Sequence, residues 1–291
     1  MRGPAHPRAA EDVSVAETSQ SGVALIARLK ARITRITGSA SLKAPAQLWN
    51  FGLPEIDAHL ADGNLGIGAV HEVAPFSWPD MPAAIGFAAS LGVLRQEKAR
   101  KPVLWLRLCA QTREMGELYG AGLHQLGLAR GRLLTARVKK PGDLLWALEE
   151  ALRSGVASLV IADAPSAASD LTISRRLQLA AAAGLTPAIL LSQKPMKGGT
   201  AGATRWQVRA APSLPPVDDL LAPGNPAWAL SLTRCRGGKP GEWSVEWHHA
   251  THRFSLVSRL RDRTIAGFDE KSGEGISIPT RPALRAIERR A

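Results

Sequence analysis

Ala74-Pro-Phe-Ser-Trp-Pro-Asp-Met81 joins a short apolar run to a helical pattern, where a chain of this kind can grip a triphosphate. A working phosphate loop there reads Gly-x-x-x-x-Gly-Lys-Ser/Thr: bare amides wrap the phosphates, the lysine neutralises them, and the hydroxyl holds magnesium. In that register Ala74, Pro79, Asp80 and Met81 stand at the defining positions. Proline has no amide to donate, methionine does not ligate magnesium, and an aspartate puts negative charge where lysine should meet phosphate. The expectation is a degenerate P-loop, weak or absent ATP binding, no cofactor and no catalytic residue. From these residues alone, an ordinary strand-to-helix loop in an unrelated fold reads equally well.

Other groups that could do chemistry are fewer. His248, His249 and His252 are potential zinc ligands, but no cysteine or carboxylate nearby completes a four-ligand set, so no metal is expected. Ser77, His71 and Asp80, or Cys109 and His124, can be drawn as hydrolase sets; neither has a nucleophile-elbow motif, and both are set aside. Arg234, Arg236 and Lys239 cluster near the tip of a predicted hairpin and form a candidate nucleic-acid or partner patch. Tryptophans at 206, 228, 243 and 247 alternate with Val and Leu, which points to core more than to base-stacking platforms.

The elements that must position these groups follow from periodicity. Leu53, Ile56 and Leu60 repeat at helical spacing behind Pro54, Asp62-Gly63-Asn64 supplies a turn, and Ala69 to Val73 is a short strand. Pro82 fits the first turn of the next helix, with Asp80 placed to cap its free amides. Apolar runs at 102–108, 132–138, 157–163 and 187–193 read as strands buried on both faces, hence parallel, with helices between them. Beyond Arg205 the period becomes two, which predicts an antiparallel extension turning at Arg236 to Gly241. The fold class expected is α/β, a mostly parallel twisted sheet flanked by helices, with that C-terminal extension.

At 291 residues and 45% hydrophobic, the chain can build one large core, placed at 45–260. Residues 1–20 read as disordered, 21–44 as an amphipathic helix and linker, and 261–291 as a flexible basic tail. Two cysteines fit a reducing cytoplasm, no apolar run approaches the roughly 18 residues of a membrane span, and the first residues lack the apolar core expected of a signal peptide. A net charge of +12 favours an anionic partner, nucleic acid first.

The segment from Phe51 to Val73 resembles the entry to the bacterial recombinase RecA, and the order of later segments continues the likeness to about residue 258. Combined with the lost P-loop, the stretches GLPEIDAHL, GAVHEVAP, ALEEALRSG, SRRLQLAAAAG, TRWQVRAAPS and RCRGGKPGEWSVEW look most like the ImuA family. That resemblance implies a RecA-like core without ATPase activity, since Cys109, Ala110 and Gln111 stand where RecA carries its catalytic glutamate, and Asp163 is left as a relic or a helix cap. It implies an accessory role in SOS-induced, error-prone translesion synthesis in the cytoplasm, nucleoid-associated when active. Its partners there are an ImuB-type Y-family-like protein and a DnaE-type polymerase, with RecA and single-stranded DNA as further candidates. The loop that begins at Gln193 corresponds to one that enters DNA in RecA, so Lys194, Lys197 and Arg205 become DNA candidates. Two alternatives are a SulA-like inhibitor of cell division, for which this chain is long, and an ATP-dependent recombinase, which the loop argues against.

Overall fold

Every residue of strand β1, Val70–Pro75, is buried, which requires cover on both faces of the sheet. Val73 belongs to one core and Val70 to the other, as the alternation of a strand demands. The computed structural model describes residues 48–165, 170–196, 198–213, 215 and 222–257. The segments expected at 1–20, 21–44 and 261–291 lie outside the described residues, as does Lys197.

The chain enters through helix α1, Pro54–Asp57, where the Asp57 carboxylate accepts the amides of Phe51 and Leu53. Burial pushes the pKa of Asp57 up against those bonds. After β1 come α2 (Met81–Lys98), β2 (Val103–Leu108), α3 (Cys109–Met115), α4 (Gly120–Gln125), β3 (Leu133–Val138) and α5 (Pro141–Ser154). Then follow β4 (Leu159–Asp163), α6 (Leu171–Gly184), β5 (Ala188–Leu191), β6 (Thr204–Ala211), β7 (Ala227–Cys235), β8 (Gly241–His248) and β9 (Arg253–Leu256). The sheet order is β3-β2-β4-β5-β1-β6-β7-β8-β9, parallel from β3 to β6 and antiparallel beyond. A mostly parallel α/β sheet with an antiparallel C-terminal extension is therefore what the alternating runs build. One strand departs from expectation: β3 is half open to solvent, because it is the sheet edge and pairs only with β2.

Helix α2 is buried nearly all round, the pattern of a helix enclosed on every side. One side rests on the sheet, and the antiparallel strands curl over another. Phe87 meets the rings of Trp206, Trp228 and Phe254, and Arg253 of β9 pairs with Glu97 at 2.7 Å. A side chain at Gly86 would press on the Trp228 ring, so the glycine permits that approach. Trp206, Trp228 and Trp247 are thus core, as their alternation indicates. Helices α5 and α6 cover the opposite face and approach each other so closely that a side chain at Gly184 would overlap the Leu152 carbonyl.

Between β5 and β6 the chain crosses β1 on the α6 side without a helix; the Ala201 amide donates to Ser174 Oγ of α6 and the Ala203 amide to the Val70 carbonyl. Glu72, wholly buried on β1, organises this crossing. Thr200 Oγ1 donates to one of its carboxylate oxygens, and Arg205 Nε donates to the other at 2.6 Å. Arg205 then gives Nη1 to the carbonyls of Met196 and Gly198.

On the other face of β1, His71 is also fully buried. Trp206 Nε1–H donates to Thr204 Oγ1, whose hydroxyl can donate on to His71 Nδ1 at 2.8 Å, leaving Nε2–H for the Gly66 carbonyl at 3.1 Å. That chain requires neutral imidazole. Burial, with a smaller push from Arg236, lowers the His71 pKa to about 4.

Two predictions follow from these buried groups. Removing one partner of a buried ion pair leaves the other uncompensated, so Glu72→Ala or Arg205→Ala should each cost about 3–5 kcal/mol in denaturant unfolding. Because the folded His71 pKa lies below the unfolded value of 6.5, its contribution is complete above pH 6.5 and is lost as pH falls toward 4. Over that window the wild type should lose about 3 kcal/mol more stability than His71→Gln, measured by unfolding at a series of pH values.

Candidate functional site

The C-terminal ends of β1 and β5 adjoin, and α2 leaves β1 over one face while the segment after β5 leaves over the other. Ligands of open α/β sheets bind in such a place. The loop from β1 into α2 is one tight turn, Trp78–Asp80, before the helix proper. Asp80 does not cap α2, as the sequence reading had it. Its carboxylate turns back: Oδ2 accepts from the amide and hydroxyl of Ser77 at 3.1 and 2.6 Å, and Oδ1 accepts from the Ala210 amide of β6 at 3.0 Å. Burial alone would raise its pKa; the Ser77 and Ala210 bonds, with the Arg209 charge, outweigh that and hold it below the usual carboxylate value. An internal carboxylate therefore takes the Ser77 amide of this loop and ties the loop to β6.

The side chains that the loop displays are aromatic. Phe76 and Trp78 are about half exposed, at 50% and 47%, and the Arg209 guanidinium lies 3.6 Å from the Phe76 ring centroid. Nothing in the loop's sequence register singles these rings out, because Phe76 and Trp78 fall at variable positions between the defining Ala74 and Pro79.

Asp163 ends β4, buried beside Arg107 at 3.5 Å, and accepts the Leu108 amide at 3.0 Å. Burial raises its pKa, with Arg107 and the Leu108 amide pulling the other way. It ties β2 to β4 and caps no helix; the cap of α6 is Asp170, which accepts the amides of Thr172 and Ile173. Arg107 was not foreseen.

The predicted basic residues do not form one patch. Gln193 and Lys194 follow β5 at the C-terminal edge, with Lys194 exposed and Gln193 half-buried. Arg205 is not a free cation: it is 9% exposed and consumed by Glu72 and the crossing backbone. Arg234 lies beside it across the β6–β7 ladder and donates to the Thr200 carbonyl. Arg236, half-buried, has its pKa lowered by burial and by the positive charges of Arg175 and Arg234. Lys239 is exposed at the hairpin tip, which docks its backbone on His59. Roughly 13 Å of strand separate Arg205 from Arg209, whereas Arg205 and Arg234 bond the carbonyls of Met196, Gly198 and Thr200 and so lie against the later part of the segment that follows β5.

The histidines have structural partners: His248 meets Ser255 and Asn225, His249 the Gln125 carbonyl, and His252 the Trp247 ring. Among the described residues no three His, Cys, Asp or Glu side chains are grouped to hold a metal. Ser77 bonds to Asp80 while His71 faces Thr204 and Gly66, so the paper triad is not assembled. Among the described residues no helix is long and apolar enough to cross a membrane.

No family model matches this sequence. Two curated proteins do, both named Protein ImuA, from Caulobacter vibrioides strains NA1000 / CB15N and ATCC 19089 / CIP 103742 / CB 15. Each is 35% identical over 243 residues, covering 78% of this chain and 96% of the relative. Identity at that level, over more than two thirds of this chain and nearly the whole relative, shows that the chain belongs to the ImuA family.

Proposed function

We propose that this chain is a non-hydrolysing, RecA-like accessory protein of damage-induced, error-prone translesion synthesis. It would engage an ImuB-type Y-family-like protein and a DnaE-type polymerase, with RecA as a further candidate partner. The observation that carries this reading is the ImuA kinship along nearly the full relative. The strand order, with β1 between β5 and β6 and a helix-free crossing after β5, agrees with a RecA-like core.

The loop supports the non-hydrolysing half on physical grounds. A phosphate would have to displace Asp80 from Ser77 and Ala210, and no lysine or hydroxyl stands in the loop positions that neutralise phosphate or hold magnesium. Asp163, already engaged by Arg107 and the Leu108 amide, is poorly placed to orient an ion. A core whose charges are satisfied internally can serve as a rigid platform for polymerase partners without a nucleotide to complete it.

Deleting the gene should reduce ultraviolet-induced mutation frequency to that of undamaged cells, and the purified chain should capture the ImuB-type protein. An unchanged induced frequency in the deletion strain would overturn the role. In calorimetry, ATP with magnesium should give no binding heat; magnesium-dependent turnover that disappears in Asp163→Asn would overturn the non-hydrolysing reading.

A further inference from the structure

We infer that Phe76, Trp78 and Arg209 form a stacking platform for single-stranded DNA at the C-terminal edge of the sheet. The inference rests on the DNA-linked role proposed above but on a different observation. Among the described residues most large aromatics are buried, yet Phe76, just past β1, and Trp78, in the turn Trp78–Asp80, stand half open. The turn is fixed: the Phe76 amide donates to the Val208 carbonyl at 2.8 Å, and Asp80 ties Ser77 to Ala210, next to Arg209. A loop backbone held in this way loses little freedom on binding.

Charge selects the partner. Among the described residues, the segments that follow β1 and β5 and the end of β6 are Phe76–Pro82, Ser192–Met196 and Gln207–Ser213; they contain Arg209 and Lys194, and their single carboxylate, Asp80, is turned inward, while Glu246, two strands away, is bonded to Asn225. Arg209 forms no ion pair among the described residues and lies over the Phe76 ring, and the half-exposed surfaces of Phe76 and Trp78 beside it are what a flat ligand would meet. Aromatic faces beside unpaired cations, without an acceptor pattern to read base edges, fit a single strand with stacked bases and phosphates near the cations. The loop after β5 carries no aromatic of its own; the adjoining strand β1 delivers two.

The test uses the full chain and a fluorescein-labelled oligothymidylate, with anisotropy measured over a salt series. Trp146, exposed on α5, provides a control aromatic. Trp78→Ala and Phe76→Ala should each weaken binding about tenfold, the order that stacking one base contributes, while Trp146→Ala leaves it unchanged. Arg209→Gln should reduce the slope of log affinity against log salt by about 0.7, one phosphate contact. Unchanged melting temperatures establish that the variants fold. Absence of oligonucleotide binding by the wild type, or equal binding by Trp78→Ala and Trp146→Ala, overturns the platform. So does loss of capture of the ImuB-type protein by Trp78→Ala with DNA binding intact, which would make this edge a protein-docking surface. If binding fails while the deletion strain still loses induced mutation, the platform falls and the role stands; the reverse pair of results sinks the role and keeps the platform.

Discussion

One buried carboxylate, Glu72, holds together the centre of this sheet and the segment that crosses it. It sits at the middle of the sheet, where an unpaired charge would be prohibitive, and Arg205 and Thr200 reach it from the segment that crosses β1. The same arginine binds two carbonyls of that segment, so neutralising the charge and folding the loop are one event. Arg234 then grips the Thr200 carbonyl from β7. The antiparallel extension is thereby fastened to the parallel half at its first strand pair, and the extension in turn encloses α2.

A second carboxylate does the corresponding job at the other end of the β1–β6 pair. Asp80 leaves the loop after β1 and reaches the Ala210 amide near the end of β6, as Arg205, near the start of β6, reaches back to β1. Both links join the same two neighbouring strands, so the display of Phe76, Trp78 and Arg209 inherits the rigidity of the sheet centre. The loop is also complete without a ligand. Where a nucleotide site would leave amides free for phosphate, here an aspartate three residues along the chain takes the amide and hydroxyl of Ser77.

The sheet was legible because its evidence is local. Alternation at Trp206 and Val208 or at Trp228, Leu230 and Leu232 identifies a strand and its inner face, and uninterrupted apolar runs identify parallel strands. Strand β3 was misjudged for the same reason in reverse, since nothing local says which strand will be at an edge. The site was less legible because its decisive contacts join residues far apart: Glu72 and Arg205 are separated by 133 positions, Asp80 and Ala210 by 130. Arg205 read as a free cation only because its partner looked like one more residue of an apolar strand. Asp80 read as a helix cap because its spacing permits that; the competing Ser77 and Ala210 donors won.

On the proposed reading, the absence of a phosphate grip and the display of aromatics are connected by simple electrostatics. A loop built to hold triphosphate must stay open and collect positive charge, which tells against large side chains at its tip. A loop closed by an internal carboxylate on Ser77 and Ala210 can be a single turn, with room for bulky groups beside Arg209. On the proposed reading, what controls such a protein is its abundance and its partners, because no nucleotide state remains to switch it, and a rigid exposed aromatic pair is the kind of surface that a nucleotide-independent binder can hold out at all times.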